Sequence, residues 1–408
     1  MNTAGYRWVI AGLSVLAVMG ALGFARFGYT MILPGMKEGL ALSEVQAGDL
    51  ATGNMIGYLI FSVAGGMIAS RFGPCVLIPV SLACVAGAMA LTGVAADYRS
   101  ALAARVLTGM ASGGANVPVL GLLSSWFSSR QRGLATGIAV SGSSFGLLFT
   151  GLAVPLVLQR YGSQGWRYAW FLFALVTAGV TVLCALALRN GPTRGSRAEE
   201  SDSPRRLPWS SIFSSGSVWS LACIYVFFGF SYIVYATFFV RYLTAEAGYS
   251  VRAAGALWSF VGALSVASGF FWGSVSDRLG RRAGLVGVFS LQLFAFVVFG
   301  LWKASPGPVL SAVLFAITAW SVPAIMAAAA GDLLGARLAP GALGFLTLFF
   351  GLGQVAGPFA AGRIAHATGS YTAAFLAAGA ASLAGAALSL GLRIGKSSAR
   401  GSAQDRPS

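Results

Sequence analysis

Long apolar runs, each about as long as a helix that crosses a lipid bilayer, recur along the whole of this 408-residue chain. A membrane helix needs about 20 predominantly apolar residues, because the hydrocarbon core is about 30 Å thick. Only 9% of the residues are charged, against about 25% in soluble domains, so lipid must be the main solvent. We therefore predict an all-α membrane protein with twelve transmembrane helices, named spans one to twelve: 8–35, 44–69, 75–96, 100–127, 134–159, 166–188, 217–243, 251–275, 283–302, 308–330, 341–365 and 370–392.

The basic residues of the chain give these spans a direction. The net charge is +16, but the Lys and Arg side chains lie in short loops between apolar runs and form no stripe on a soluble face. We therefore expect a lipid bilayer around the protein and no nucleic-acid partner. With the N-terminus inside, 17 of them fall on the inner side and 8 on the outer side. This asymmetry predicts that both termini are cytoplasmic.

One polar segment divides the chain into two parts. Residues 189–216 are rich in Ser, Pro, Arg and Glu, which is typical of a flexible linker. We predict an N-terminal six-helix bundle over 1–188, a cytoplasmic linker over 189–216, a C-terminal six-helix bundle over 217–393 and a cytoplasmic tail over 394–408.

The two parts also share a sequence repeat. GSVSDRLGRR at Gly273–Arg282 has a weaker copy, GMIASRFGPC, at Gly66–Cys75, 207 positions earlier. Asn116–Pro118 in span four is likewise matched by Ser321–Pro323 in span ten, at a similar offset. A parallel repeat of two six-helix halves is typical of one large class of secondary transporters.

With these motifs the chain resembles the major facilitator superfamily over nearly its whole length. GSVSDRLGRR is close to the loop motif of that superfamily, and the copy at 66–75 has Ser70 in place of the usual Asp. The stretch Arg105–Gly109 looks like its span-four motif. Three further stretches resemble the bacterial YbfB/YjiJ-like branch: Gly23–Met36, Ala47–Leu59 and Gly351–Gly362. A fainter likeness links the chain to monocarboxylate and oxalate/formate carriers, although Ala267–Trp272 in span eight lacks the Arg usual there.

The resemblance implies a secondary active transporter of a small-molecule substrate in the bacterial inner membrane, working by rocker-switch alternating access as a monomer. We expect no enzymatic activity, because the chain has no GxxxxGK[ST] motif. No cofactor or metal is expected either, since the four cysteines form no CxxC pair. Coupling to protons is left open.

The resemblance also implies a gate at the inner ends of the spans. In this family the Asp of the loop motif caps a neighbouring helix and pairs with Arg, which holds the cytoplasmic side shut. The alternative is a set of positive anchors on the inner face. The residues concerned here are Asp277, Arg278, Arg281, Arg282 and Arg71.

Arg26 is the sharpest candidate for substrate binding. It lies 19 residues after Arg7, or about 28 Å along a helix. A guanidinium at that depth is costly and marks a functional site by default. Its planar donors suit a carboxylate, and Tyr29 and Thr30 follow at i+3 and i+4, on the same face. The alternative is a snorkelling or structural Arg, for which Asp49 is a candidate partner.

Several amide and phenol side chains also lie at membrane depth, where they need partners. The resemblance implies that spans one, two, four, five, seven, eight, ten and eleven line the cavity. Packing between helices is the alternative for each residue taken singly. The candidates are Asn54, Tyr58, Asn116, Tyr232, Tyr235 and Gln354.

Two residues are candidates for coupling. The position of Arg105 matches an Arg that is tied to proton coupling in efflux members of the superfamily, with an interfacial anchor as the alternative. Asp49, near the outer end of span two, is the deepest acidic residue and the candidate proton carrier.

A small organic anion, such as a carboxylate, is the expected cargo, because the deepest charge is an Arg and no acid lies equally deep. One alternative is efflux of hydrophobic or cationic compounds, which usually needs a deep acidic residue. The other is a sensor that binds without transport, which usually carries a sizeable soluble domain.

Overall fold

The computed structural model describes residues 3–191 and 213–392, and every regular element in these ranges is a helix. The N-terminal half, spans one to six, consists of Thr3–Val18, a π-helix at Met19–Phe27, Gly28–Gly39, Glu44–Phe72, Pro74–Val94, Tyr98–Trp126, Ser129–Tyr161 and Gly165–Ala187. The C-terminal half, spans seven to twelve, consists of Gly216–Ala245, Val251–Ser265, Ser268–Leu279, Arg281–Leu301, Gly307–Ala316, Ser321–Thr368 and Thr372–Leu390. Most of the predicted linker and the predicted tail lie outside the described residues.

Each predicted span falls on helix, but the count of twelve stays a prediction. Within the described ranges, nine helical stretches are long and apolar enough to cross a membrane. The pair Val251–Ser265 and Ser268–Leu279, bent by 43°, makes a tenth. One of the nine stretches, Gln131–Ala187, contains the helices of both spans five and six. The helix of span two, Glu44–Phe72, has 29 residues and is long enough to cross.

The two repeat copies form the same backbone turn. Span two ends at Gly73 with φ 83° and ψ 148°, and span eight ends at Gly280 with φ 91° and ψ 153°. Only glycine adopts such positive φ values without strain. We call the end of the bundle with these turns the inner end, because the charge bias predicts that it is cytoplasmic, and the opposite end the outer end.

Small residues let the helices pack closely within and between the halves. A Cβ atom on Gly146 of span five would lie 2.2 Å from the Cα atom of Gly23 in span one. Between the halves, a Cβ atom on Gly151 would lie 2.4 Å from the carbonyl oxygen of Gly255. Spans one and five, and spans five and eight, therefore pack backbone to backbone.

Candidate functional site

Three irregular helix segments meet in the middle of the bundle. Span one contains the π-helix Met19–Phe27, span eight is broken between Ser265 and Ser268, and span ten leaves the α-helix over 317–320. The rings of Phe27 and Trp320 lie 5.6 Å apart, and the backbone N–H of Trp320 donates to Ser268 Oγ at 3.2 Å. Interrupted membrane helices of this kind typically line a substrate site.

Trp320 also ties span ten to span five of the other half. Its Nε1–H donates to Ser144 Oγ at 2.8 Å, and Ser144 shares a 2.9 Å hydrogen bond with Ser265. Sequence reasoning missed these three residues, because one Trp among ten and two Ser in apolar runs carry no distinctive pattern.

Arg26 lies at the end of the π-helix and is 7% exposed. Its guanidinium carbon is 4.3 Å from the centre of the Tyr58 ring. Nε and Nη2 are both buried without a hydrogen-bond partner, and Arg26 takes part in none of the ion pairs between described residues. These two N–H groups form one edge of the guanidinium, the edge that can bind two oxygens of a carboxylate side by side.

Hydrogen bonds surround Arg26 with predicted site residues from both halves. Asn116 Nδ2 donates to the Tyr58 hydroxyl at 2.9 Å in the N-terminal half. In the C-terminal half, Gln354 Nε2 donates to the Tyr232 hydroxyl at 2.5 Å, and that hydroxyl also interacts with Arg26. We call these five residues the central cluster. Tyr58 and Asn116 are only partly buried, so the cluster is accessible from their side.

Three other predicted binding residues lie outside this cluster. The Tyr29 hydroxyl donates to the Ala47 carbonyl at 2.8 Å, and Asn54 Nδ2 donates to the Arg105 carbonyl at 3.1 Å. Tyr235 shares a 2.7 Å hydrogen bond with Ser311 inside the aromatic packing of the C-terminal half. Their contact with substrate stays a prediction.

Thr30 contacts span seven, as Arg26 does. Its Oγ1 donates to the Ala236 carbonyl at 2.5 Å, one helical turn after Tyr232. The common face expected for Arg26, Tyr29 and Thr30 stays a prediction.

Arg105 is fully buried, and both its role in coupling and the anchor alternative stay predictions. Its guanidinium carbon lies 4.8 Å from the Tyr29 ring centre and 5.2 Å from that of Trp170. Nη1 donates to the Ala25 carbonyl at 2.5 Å, while Nε and Nη2 have no partner. Aromatic faces therefore compensate a charge that has no carboxylate beside it.

Asp49 does not pair with Arg26, so that expected partner is wrong, while a structural role for Arg26 stays open. Its Oδ1 accepts from Arg363 Nη1 at 2.9 Å, and the Tyr98 hydroxyl donates to Oδ2 at 3.4 Å. Because Arg363 belongs to span eleven, the ion pair joins the two halves at the outer end.

A second ionic cluster at the outer end is centred on Glu44, which sequence reasoning missed. Glu44 pairs with Arg241 of span seven at 2.9 Å and with Lys37 at 3.3 Å. The hydroxyl of Tyr371 donates to it at 2.6 Å. The sequence did contain a signal for Glu44, because it is an acidic residue predicted at the same end of the bundle as the basic Arg241. We call the ion pairs of Glu44 with Arg241 and of Asp49 with Arg363 the outer clamp.

The inner loop motif forms its contacts within the C-terminal half. Arg281 pairs with Asp277 one turn before it and with Asp332 of span ten at 2.7 Å, and it donates to Ser276 Oγ at 2.8 Å. The expected pairing of Asp277 with an Arg is therefore formed, by Arg281, while the capping of a neighbouring helix stays a prediction. No ion pair among the described residues joins the halves at the inner end. Three other predicted gating residues are exposed there: Arg71, Arg278 and Arg282.

Comparisons with known proteins agree with this architecture. The family model described as "Uncharacterised MFS-type transporter YbfB" matches residues 18–390. The chain is 26% identical to the probable sulfoacetate transporter SauU of Cupriavidus necator, over 93% of this chain and 92% of that protein. It is also 26% identical to the hexuronate transporter of Bacillus subtilis, over 87% of each chain. Among solved structures, an inward-facing bacterial homologue of the lysosomal transporter Spinster superposes with a TM-score of 0.76 at 17% identity, over 93% of this chain and 95% of that one.

Proposed function

The chain belongs to the family of YbfB-type major facilitator transporters, and we propose that it moves a small organic anion, such as a carboxylate or sulfonate, across the membrane. The observation that carries this proposal is the unpaired edge of Arg26, buried between the two halves. Buried N–H groups of a charged side chain are expensive to leave without acceptors, and an oxyanion bound to Nε and Nη2 would supply them. The relatives named for sulfoacetate and hexuronate, both organic anions, support this choice.

The central cluster is suited to anion transport because its residues come from both halves. An anion on Arg26 also comes near the amide and hydroxyl pair of Asn116 and Tyr58 and that of Gln354 and Tyr232. A ligand shifts a conformational equilibrium only if it binds one state better than another. Contacts to both halves provide such a difference, since they form fully only when the halves close around the ligand.

Alternating access would then exchange contacts at the two ends of the bundle. The outer clamp holds the outer end together, and no ion pair joins the halves at the inner end among the described residues. On rocking, the outer clamp breaks and the inner loop motif moves towards the N-terminal half, where Asp277, Arg278 and Arg281 act as the inner gate. In this scheme the termini are cytoplasmic, the membrane is the bacterial inner membrane, the protein acts as a monomer, and Asp49 is the candidate proton carrier.

The test uses purified protein in liposomes. We would measure uptake of labelled sulfoacetate, glucuronate and 3-phenylpropionate, with and without a pH gradient, and the retention of a cationic dye. Uptake of at least one anion is expected, and Arg26→Gln should abolish it, because a neutral amide lacks the charge and the planar pair of donors. Arg160→Ala, which removes an exposed Arg at the outer end, is the matched control.

Two results would contradict the proposal. One is the failure of every anion while the cationic dye is expelled. The other is unchanged anion affinity in Arg26→Gln, which would leave Arg26 with a structural role.

A further inference from the structure

Arg105 and Arg26 are joined by one peptide group. Arg105 Nη1 donates to the carbonyl of Ala25, the residue directly before Arg26, at 2.5 Å. We propose that Arg105 is a positioning residue, which fixes the end of the π-helix through the Ala25 carbonyl and so aims the free edge of Arg26 into the central cluster. The part of this inference that concerns ligand affinity rests on the proposed function.

The Ala25 carbonyl lies in the last turn of the π-helix. Gly28 N–H bonds back to the Gly23 carbonyl, five residues earlier, and normal α-helix follows from Gly28. The helix therefore changes its hydrogen-bond pattern at this point. Arg105, on span four, donates to the Ala25 carbonyl there and so holds the place of the change against a second helix.

Arg105 is itself held rigidly. The Tyr29 and Trp170 rings lie on its guanidinium, and Asn54 Nδ2 donates to its backbone carbonyl at 3.1 Å. Spans one and six therefore contact this side chain, and span two holds its backbone. A planar guanidinium can lie against rings and donate in its own plane at the same time, which the ammonium of Lys cannot do equally well.

Two other roles compete with positioning. Arg105 could contact the anion directly, or it could attract the anion through its charge alone. Its side chain is completely buried, two aromatic rings lie against its guanidinium, and one of its donors is bonded to a backbone carbonyl. Neither alternative predicts any change in the ligand-free helix when Arg105 is replaced, whereas positioning does.

The first arm of the test therefore needs no ligand. Backbone hydrogen exchange is followed in peptides covering residues 19–30 of the full chain in lipid nanodiscs. Arg105→Met should accelerate exchange there about tenfold or more, because the Ala25 carbonyl loses its donor. The matched control is Ser112→Ala on the same span, whose hydroxyl bonds only to the Thr108 carbonyl of its own helix. Wild-type exchange over 19–30 in Arg105→Met would overturn the proposal.

Arg105→Lys covers the case in which Arg105→Met does not fold. Lys keeps the charge and one donor but loses the planar contact with the rings, so we expect an intermediate acceleration confined to residues 19–30. Unchanged exchange in a folded Arg105→Lys protein would again count against positioning.

The second arm is a double-mutant cycle for anion binding, with glucuronate and sulfoacetate as probes in a thermal-shift assay. Arg105→Met should weaken binding about tenfold to a hundredfold, the loss expected when a binding group moves by about 1 Å. In the Arg26→Lys background, which keeps the charge and a measurable affinity but lacks the planar edge, the same change should have no further effect, since Arg105 acts through that edge of Arg26. Independent, additive losses would overturn the inference. Absence of binding by wild-type protein would count against the proposed function, while the exchange arm still decides the positioning role.

Discussion

The outer clamp leads to a prediction that can be worked out from the structure. Glu44 accepts from Arg241 at 2.9 Å and from the Tyr371 hydroxyl at 2.6 Å, and both donors belong to the other half. The side chains of Glu44 and Arg241 are 21% and 18% exposed, so water screens this pair only partly. Replacing Glu44 by Gln keeps the shape of the side chain but removes the charge that both hydrogen bonds depend on.

The size of the effect follows from the number of bonds affected. A hydrogen bond to a charged group contributes about 1.5–3 kcal/mol, and Gln retains weaker, neutral versions of both. A loss of about 2 kcal/mol from the closed outer end changes the ratio of the two states about 30-fold. If the outer-open state holds about 1% of the wild-type population, it would hold about a quarter in Glu44→Gln.

Distances between spin labels at positions 99 and 252 measure this shift. Both native side chains, Arg99 and Arg252, are exposed at the outer end, one on each half. The labels go onto a background in which the four native cysteines are replaced by Ser. Glu44→Gln should add a population at longer distance. Glu38→Gln is the matched control, because Glu38 is exposed at the same end and takes no part in the ion pairs between the halves. Identical distance distributions in wild type, Glu44→Gln and Glu38→Gln would refute the reasoning.

Three further predictions test packing, binding and coupling. Gly146→Ala should lower the free energy of unfolding by about 1–3 kcal/mol in a thermal scan, because its Cβ atom would lie on the Gly23 backbone. In the same scan Gly137→Ala, at a position of the same helix where the space is open, should raise stability slightly. Tyr232→Phe should weaken anion affinity about fivefold through loss of its hydroxyl, while Tyr235→Phe, outside the central cluster, should leave affinity unchanged. If Asp49 carries the proton, Asp49→Asn should abolish stimulation of uptake by a pH gradient and spare anion exchange, and stimulation that persists would exclude this role.

The spans and the repeat could be predicted because each depends on a strong and local physical constraint. A membrane helix must be apolar over its whole length, and this property is visible in the residues themselves. The turns at Gly73 and Gly280 are visible for the same reason, since a positive φ demands glycine. Candidate residues such as Tyr58, Asn116 and Gln354 followed from the cost of placing polar groups in lipid.

The contacts between residues of different helices could not be predicted, because they depend on which helices pack together. Asp49 pairs with Arg363, which lies 314 residues later in the sequence, and no local pattern distinguishes that partner from Arg26. The π-helix has the same apolar composition as an α-helix, so no sequence pattern indicated it. Glu44 was missed because a charged residue at a span end usually faces water.

The two buried arginines show how surroundings separate a binding group from a supporting one. Both leave Nε and Nη2 unpaired, but Arg105 is compensated by two aromatic rings and a backbone carbonyl. Arg26 has one ring, that of Tyr58, and the Tyr232 hydroxyl, and the neighbouring Tyr58 and Asn116 are only partly buried. Closing the halves around Arg26 without an anion would seal in a poorly compensated charge, which is costly. Closing them around an anion removes that cost, so the ligand itself favours the passage between the two states.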